Sequence, residues 1–573
     1  MGKELYKTLI EHLKKKIVDD ETFKKDDLES VLSKGYFPAK LPPCFSTKAF
    51  GKLASNHTEK LLDIIYNKTR NEILTIPTSY YLARHNQIRR ILGVLNPMSY
   101  FLISCVFCVY KKEILKKAQS KFSLSSPIVD NDTSPNARAY KQEIAWEDSD
   151  VVRLENRAGK MVVLKTDISR FYPSIYTHII PWVVEGKIEA KKDRSNINKL
   201  GNMLDKTFEW SQDGQTFGLP IGPDISFIIA EVILSHIDNL IDDALKKNGC
   251  GNICWIRRVD DCEFACNNKE QANKALAIIQ SILNDFELEL NNHKTEIIYL
   301  PTSVTNEEIQ KICEYELASN EKNRKRILNY FNIIFEAFKN NTKGVLKYAV
   351  KSIKIESLMG DFKELFINFI CQCMVLEEGV SESALIKFAI LLKDDVLSNK
   401  SKEKIKNTLY AILSNHSERK HTSEVVWALW GFFLLEENIS DECTEKLCNM
   451  EDTFVYIMLL DFASKGYANK EKIIKNVSKF ISKNKDNFIG SHWLILYELM
   501  KNEWFDVSKY KEILEKDTFF KFLYDNDISF YRSEDSSAKY IEIFENWLED
   551  NYGCSVPSQT EQDLLNELLY KDI

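Results

Sequence analysis

Apolar positions along this chain follow a strand period at a few points and a helical period over much of the rest. Met161-Val162-Val163-Leu164 is an unbroken apolar run that passes through Lys165 and Thr166 and stops at Asp167, which predicts a strand ending in a carboxylate. Trp255-Ile256-Arg257-Arg258-Val259-Asp260-Asp261-Cys262-Glu263-Phe264 sets two adjacent carboxylates between apolar stretches, as at the tight turn of a β-hairpin. Leu5, Leu9, Ile10, Leu13 and Ile17 share a face and predict an amphipathic helix within residues 1–30, with Lys14-Lys15-Lys16 as its solvated side. Ile228, Ile229, Val232, Ile233 and Ile237 predict a buried helix. Ala275, Ala277, Ile278, Ile282 and Leu283 face inward from a helix over 270–287, and Leu288 to Ile298 reads as a turn carrying Lys294 into an edge strand.

Proline and glycine punctuate this pattern. Gly35-Tyr36-Phe37-Pro38 and Leu41-Pro42-Pro43 predict chain laid extended over another surface. Residues 123–150, rich in Ser, Asp, Asn and Pro, read as a long loop or linker, and Phe217-Gly218-Leu219-Pro220-Ile221-Gly222-Pro223 as a loop whose backbone can approach a ligand closely. Beyond Pro301 strand-like alternation fades and helical stripes take over, among them Ile327, Tyr330, Ile334 and Phe338, then segments around Trp427, Trp430 and Trp493. Paired helices in irregular succession predict an α-solenoid that closes over the strands carrying Asp167 and Asp260. His421 and His492 read as packing or capping residues, and the acidic stretch from Glu534 to Ile573 is expected to face away from nucleic acid.

Composition narrows the class. At 573 residues two or three domains are expected, and 44% hydrophobic with 28% charged residues is the balance of a water-soluble protein. No apolar run spans a membrane and no secretory signal opens the chain. The thirteen cysteines fit reduced thiols, so a cytoplasmic location is expected. Cys105 and Cys108 have metal-ligand spacing but no partner pair, and read as buried thiols. A net charge of −7 excludes an indiscriminate nucleic-acid binder while leaving room for a local basic channel.

Two strands that each end in aspartate can pool Asp167, Asp260 and Asp261 at one sheet edge. Three hard oxygen ligands with room for water and phosphate describe a Mg²⁺ site for nucleotidyl transfer. Arg84, Arg89 and Arg90 either grip a triphosphate or nucleic-acid backbone or line an exposed helix face.

Taken in order, Asp167-Ile168-Ser169-Arg170-Phe171-Tyr172, Gly218-Leu219-Pro220-Ile221-Gly222, Arg258-Val259-Asp260-Asp261 and Asn291-Asn292-His293-Lys294-Thr295 resemble the four palm motifs of a reverse transcriptase. More narrowly, Gly35 to Ser46, the arginines before Asn96-Pro97 and the Trp-bearing helical half are similar to bacterial abortive-infection and defence-associated reverse transcriptases. The resemblance implies an α+β chain: a reverse-transcriptase-like domain over 1–302 (fingers 1–155, palm 156–302), then an all-α helical-repeat domain over 303–573. It implies two Mg²⁺ ions, with Mn²⁺ as a substitute, held by Asp167, Asp260, Asp261 and the carbonyl of Ile168, and Lys294 beside the leaving group. It places Tyr172 as a steric gate under the sugar, Gly218, Pro220 and Gly222 with Arg84, Arg89 and Arg90 around the nucleotide, and Arg257 and Arg258 against nucleic acid. The implied partners are dNTPs, an RNA template or DNA product, further copies of the chain, and a non-coding RNA or second defence protein, with no membrane. Arg258 and Ile221 depart from the family pattern, which usually has an aromatic and a glutamine there. Template-independent, protein-primed synthesis is therefore one alternative, and a non-catalytic RNA-binding scaffold another.

Overall fold

The computed structural model describes residues 5–19, 23–84, 88–132, 137–304, 307–315, 323–342, 344–353, 361–393, 397–483 and 487–531. Lys322 and the acidic stretch after Glu534 lie outside them.

Among the described residues eight strands make three antiparallel sheets. β1 (Thr78–Ala83) and β2 (Arg89–Val94) form a hairpin, and β3 (Pro127–Val129) pairs with β4 (Tyr140–Gln142). The main sheet runs β6 (Cys254–Arg258), β7 (Asp261–Cys266), β5 (Val162–Asp167), β8 (Glu296–Tyr299). β5 lies inside this sheet with both faces covered, so Val162, Val163 and Leu164 are all buried, which is why its sequence runs apolar without alternating. Each buried Val or Leu there contributes about 1.5–3 kcal/mol. Helix Lys269–Asn284 packs on β5 and β7, and the long helix Asp224–Lys247 packs on that helix. Helix Pro97–Val109 is buried along its whole length, which its sequence foretells by being apolar all round. Asn96 caps it, accepting the Met98 amide at 3.1 Å, with Pro97 in the first turn.

Two regions differ from the sequence reading. The amphipathic helix of 1–30 is two helices, Leu5–Asp19 and Lys25–Ser33, joined at a break the apolar stripe does not register. The loop of 123–150 is built onto the palm: Arg257 N–H donates to the Phe122 carbonyl at 2.7 Å, Leu124 N–H to the Arg257 carbonyl at 2.7 Å, and Ile144 N–H to the Leu124 carbonyl at 3.1 Å. Ser123, Ser125, Ser126 and Ser149 are buried because they find buried partners, a satisfaction that composition cannot reveal.

Beyond Pro301 every described element is helical. Val345–Ser352, Ser381–Lys393, Thr422–Leu435, Thr453–Ser464 and Trp493–Asn502 stack in one row, and Asp361–Leu376, Asn399–Ser417, Asp441–Cys448 and Lys470–Lys483 in another. The first row lies inside, and Thr422–Leu435 and Thr453–Ser464 are accordingly apolar all round. In the outer row Lys470–Lys483 buries only Ile473, Val477, Phe480 and Ile481.

The inner row and the chain beside it rest on the β1–β2 hairpin and its flanks. Thr422–Leu435 packs on β1, and Ala83 N–H donates to Ser423 Oγ at 2.9 Å. Ile76 N–H reaches the Ile489 carbonyl at 2.8 Å, and Asn96 Nδ2 the Phe488 carbonyl at 2.6 Å. Phe45 bridges Tyr531, but the proline segment is not extended as expected: it folds in turns, with Leu41 N–H donating to the Pro38 carbonyl at 3.3 Å and Phe45 N–H to the Pro42 carbonyl at 3.0 Å. The fingers offered unpaired strand amides and apolar faces that these helices satisfy. Cys105 and Cys108 are buried thiols, and no disulfide links the described cysteines. No described helix is long and apolar enough to cross a membrane.

Candidate active site

β5 delivers Asp167 to the edge of the main sheet, and the antiparallel register pairs it with Asp261, the first residue of β7. The β6–β7 turn is tight, and Val259 within it takes φ +49°, a left-handed conformation that β-branched residues rarely adopt. The turn projects Asp260 back toward β5, where the Ile168 amide donates to the Asp260 carbonyl at 3.1 Å. Ligand oxygens of Asp167, Asp260 and Asp261 thereby lie within 4.8 Å of one another, Asp167 buried, Asp260 half-buried and Asp261 exposed.

The turn after Leu288 closes the site from the other side. Asn291 N–H donates to the Asp167 carbonyl at 2.7 Å and its Nδ2 to Asp167 Oδ1 at 3.0 Å. Thr295 Oγ1 meets Thr166 Oγ1 at 3.0 Å. Held this way, Lys294 Nζ lies 2.5 Å from Asp167 Oδ2 and 3.5 Å from Asp261 Oδ1.

Charge at this edge is out of balance. Burial, then the Asp167 carboxylate, raises the Asp260 carboxyl above its ordinary range. Burial also pushes Asp261 up to about 6, with Lys294 opposing and Asp167 and Asp260 adding. Its side chain is 62% exposed, so solvent softens that shift. Lys294 loses some hydration, but its hydrogen bond to Asp167 and the surrounding carboxylates outweigh that and raise its pKa. Three carboxylates facing one ammonium form an all-oxygen anionic donor set, which fits a hard divalent cation.

The remaining expected residues take separate places. Ile168 is buried beside Asp260. Tyr172 is half-buried; burial, then the charges of Glu231 and Asp260, raises its pKa, with Arg90 opposing. Its carbonyl accepts the Leu219 amide at 2.9 Å, which ties it to the glycine-proline loop. In that loop Gly218 and Pro220 are buried. Gly222 has φ +131°, and a Cβ there would meet Pro38 Cγ at 2.8 Å. Arg84 is exposed at the end of β1. Arg90 is close enough for its charge to act on both Asp260 and Tyr172.

Three arginines do not go where they were expected. Arg89, next to Arg90 on β2, points to the opposite face, and its Nη2 lies 2.6 Å from Glu424 Oε1 in the helical half. Arg257 is 1% exposed and forks between Glu231 and Asp238 at 2.8–3.1 Å. Arg258 is buried against Gln142, Ser149 and the carbonyls of Ile144 and Ala145, and burial, then Arg153, lowers its pKa to about 10. Neither is presented to nucleic acid, because each guanidinium is enclosed by partners distant in sequence. Glu231 had a readable signal, a single acid inside the apolar run Ile228-Ile229-Ala230-Glu231-Val232-Ile233, which requires a buried cation. Asn291 had none beyond its place in the turn.

An antiparallel sheet with three carboxylates at one edge and a lysine over them is an arrangement suited to polymerase-type nucleotidyl transfer. Residues 98–330 match the family of Reverse transcriptase (RNA-dependent DNA polymerase). The chain thus carries a reverse transcriptase domain, the domain class of RNA-directed DNA polymerases, over less than half its length. No curated protein matches. Among solved structures, a telomerase from Candida albicans in complex with a fragment of telomeric RNA is 13% identical at a TM-score of 0.29; the match covers 63% of this chain and 65% of that one. An apo telomerase from Candida tropicalis is 12% identical at a TM-score of 0.31, with 72% and 74% covered. Likenesses this slight carry no functional argument.

Proposed function

We propose that this protein is a Mg²⁺-dependent DNA polymerase that adds dNTPs to a 3′-hydroxyl or a protein hydroxyl. The observation that carries this reading is the convergence of Asp167, Asp260 and Asp261 within 4.8 Å under Lys294. Divalent ions bound by the three carboxylates and the Ile168 carbonyl would acidify the attacking hydroxyl and offset triphosphate charge. Lys294 is placed to neutralise, or donate a proton to, the departing pyrophosphate oxygen. Asn291 holds Asp167 in one rotamer. Arg84 and Arg90 grip the triphosphate, the backbone of Gly218, Pro220 and Gly222 lines the nucleotide, and the Tyr172 ring lies under the sugar and excludes a 2′-hydroxyl.

The motifs resembling those of defence-associated reverse transcriptases support a role in antiphage defence in the cytoplasm, with the helical half acting as an α-solenoid that mediates self-assembly. Template-independent synthesis is a second reading, favoured by Ile221 where the family usually has a polar glutamine. Arg258 no longer argues for it, being buried.

Purified protein incubated with each dNTP and Mg²⁺ or Mn²⁺, with and without RNase, tests the proposal. Incorporation lost on RNase treatment supports RNA-directed synthesis, and incorporation that survives supports the second reading. No incorporation under any condition leaves a scaffold role. Tyr172→Ala is expected to admit ribonucleotides while retaining some dNTP activity, and unchanged sugar discrimination would place the gate elsewhere.

A further inference from the structure

The catalytic turn depends on a conformation its own sequence disfavours. Val259 is β-branched, yet sits at φ +49°. Left alone, such a residue relaxes toward extended backbone and carries the next residue, Asp260, away from Asp167.

Both polar groups of Val259 are held from beneath. Its amide donates to Ser125 Oγ at 2.9 Å, and its carbonyl accepts from Arg257 Nη1 at 3.0 Å. Arg257 is itself fixed, since its other donors reach Glu231 and Asp238 on helix Asp224–Lys247. Ser123 and Ser125 donate to the two Glu231 oxygens, each at 2.9 Å, and Ser120 to Asp238 at 2.6 Å. Arg257, Glu231 and Asp238 are all at most 1% exposed, so nothing mobile intervenes.

We propose that Arg257 and Ser125 are positioning residues for metal binding, holding Val259 left-handed so that the three carboxylates stand crowded together before any cation arrives. This rests on the reading of Asp167, Asp260 and Asp261 as the metal site. The network meets no reacting atom. It acts through the backbone of one residue, and it accounts for an arginine beside the catalytic aspartates that faces away from nucleic acid.

The test is Mn²⁺ titration of the full-length chain without nucleotide, followed by electron paramagnetic resonance, with circular dichroism and melting to verify folding. Ser125→Ala and Arg257→Lys are expected to weaken Mn²⁺ binding by about 10–100-fold, the usual cost of losing an outer-shell partner. Glycine adopts positive φ without strain, so adding Val259→Gly to Ser125→Ala should recover much of that affinity. Should Arg257→Lys fail to fold, the Ser125→Ala pair decides alone. Wild-type affinity in the folded Ser125→Ala variant, or a loss that Val259→Gly does not recover, overturns the proposal. Asp260→Asn separates the two levels. If it loses Mn²⁺ while Ser125→Ala does not, the metal site stands and the positioning role falls. If Asp260→Asn binds as wild type, the metal-site reading itself falls.

Discussion

Ligand-type side chains converge twice among the described residues, with opposite electrostatic outcomes. At the palm edge Asp167, Asp260 and Asp261 face a single lysine, and burial with mutual repulsion raises the pKa of Asp260 and Asp261. In the joint between fingers and helical half, His416, His421 and Glu424 also gather within 4.8 Å, but Arg89 is already among them. Burial works against the Glu424 charge there too, yet hydrogen bonds from His416 and Ser423 and the charge of Arg89 lower its pKa. Glu424 is 2% exposed, whereas the Asp261 side chain opens to solvent. Ligand count therefore does not identify a metal centre. An excess of anions with an open side is what the proposed cation site at the palm needs. The joint holds its own cation and is sealed.

Variants at the two clusters should part accordingly. Asp260→Asn is expected to abolish measurable dNTP incorporation while leaving the melting temperature equal to or slightly above wild type, because it relieves crowding. Incorporation near the wild-type rate would remove the contrast altogether.

Arg89→Ala takes the guanidinium from a buried Glu424 that keeps its hydrogen bonds from His416 and Ser423, and should cost about 1–3 kcal/mol in stability, read by chemical denaturation. Mn²⁺ affinity at the palm should stay unchanged. Its neighbour Arg90 should behave inversely: Arg90→Ala raises the KM for dNTP and leaves the melting temperature in place. If both variants show the same pattern, the two faces of β2 do not have separate roles.

The smallest effect concerns pH. Burial, then Arg89, lowers the pKa of His421 to about 4, below its unfolded value near 6.5. Between those values the unfolded chain binds more protons than the folded one, so this group makes stability fall as pH drops from about 6.5 to 4. The wild-type melting temperature should therefore decline more steeply across that window than that of His421→Asn. Equal slopes would show that the joint tolerates a charged imidazole.

The palm was largely legible because its chemistry interrupts its own pattern. An apolar run broken by Asp167, and an apolar hairpin carrying Asp260-Asp261, announce strand ends and acids together, and the turn with Lys294 follows in order. What the sequence hid was direction. Arg89, Arg257 and Arg258 looked like ligand-binding cations, but a residue's face depends on register and on partners far away: Glu424 lies on a helix of the other half, and Glu231 on the helix below the sheet. Ser123 to Ser126 looked like linker because buried serines and exposed serines have the same composition. The helical stripes after Pro301 gave helices but no docking surface, since an apolar face does not name what covers it.

β2 is a six-residue strand whose neighbours Arg89 and Arg90 have different partners: Arg89 pairs with Glu424 of the helical half, and the charge of Arg90 reaches Asp260. Its meaning thus depends on register. Deleting a single residue between Arg90 and Val94 would move Arg89 into Arg90's register opposite Leu82 and Arg90 into Ile91's register opposite Tyr81, so neither arginine would keep its present place. Substitutions along this strand can be absorbed one at a time, but changes in its length cannot. Natural variation in this hairpin should therefore gather at its tip.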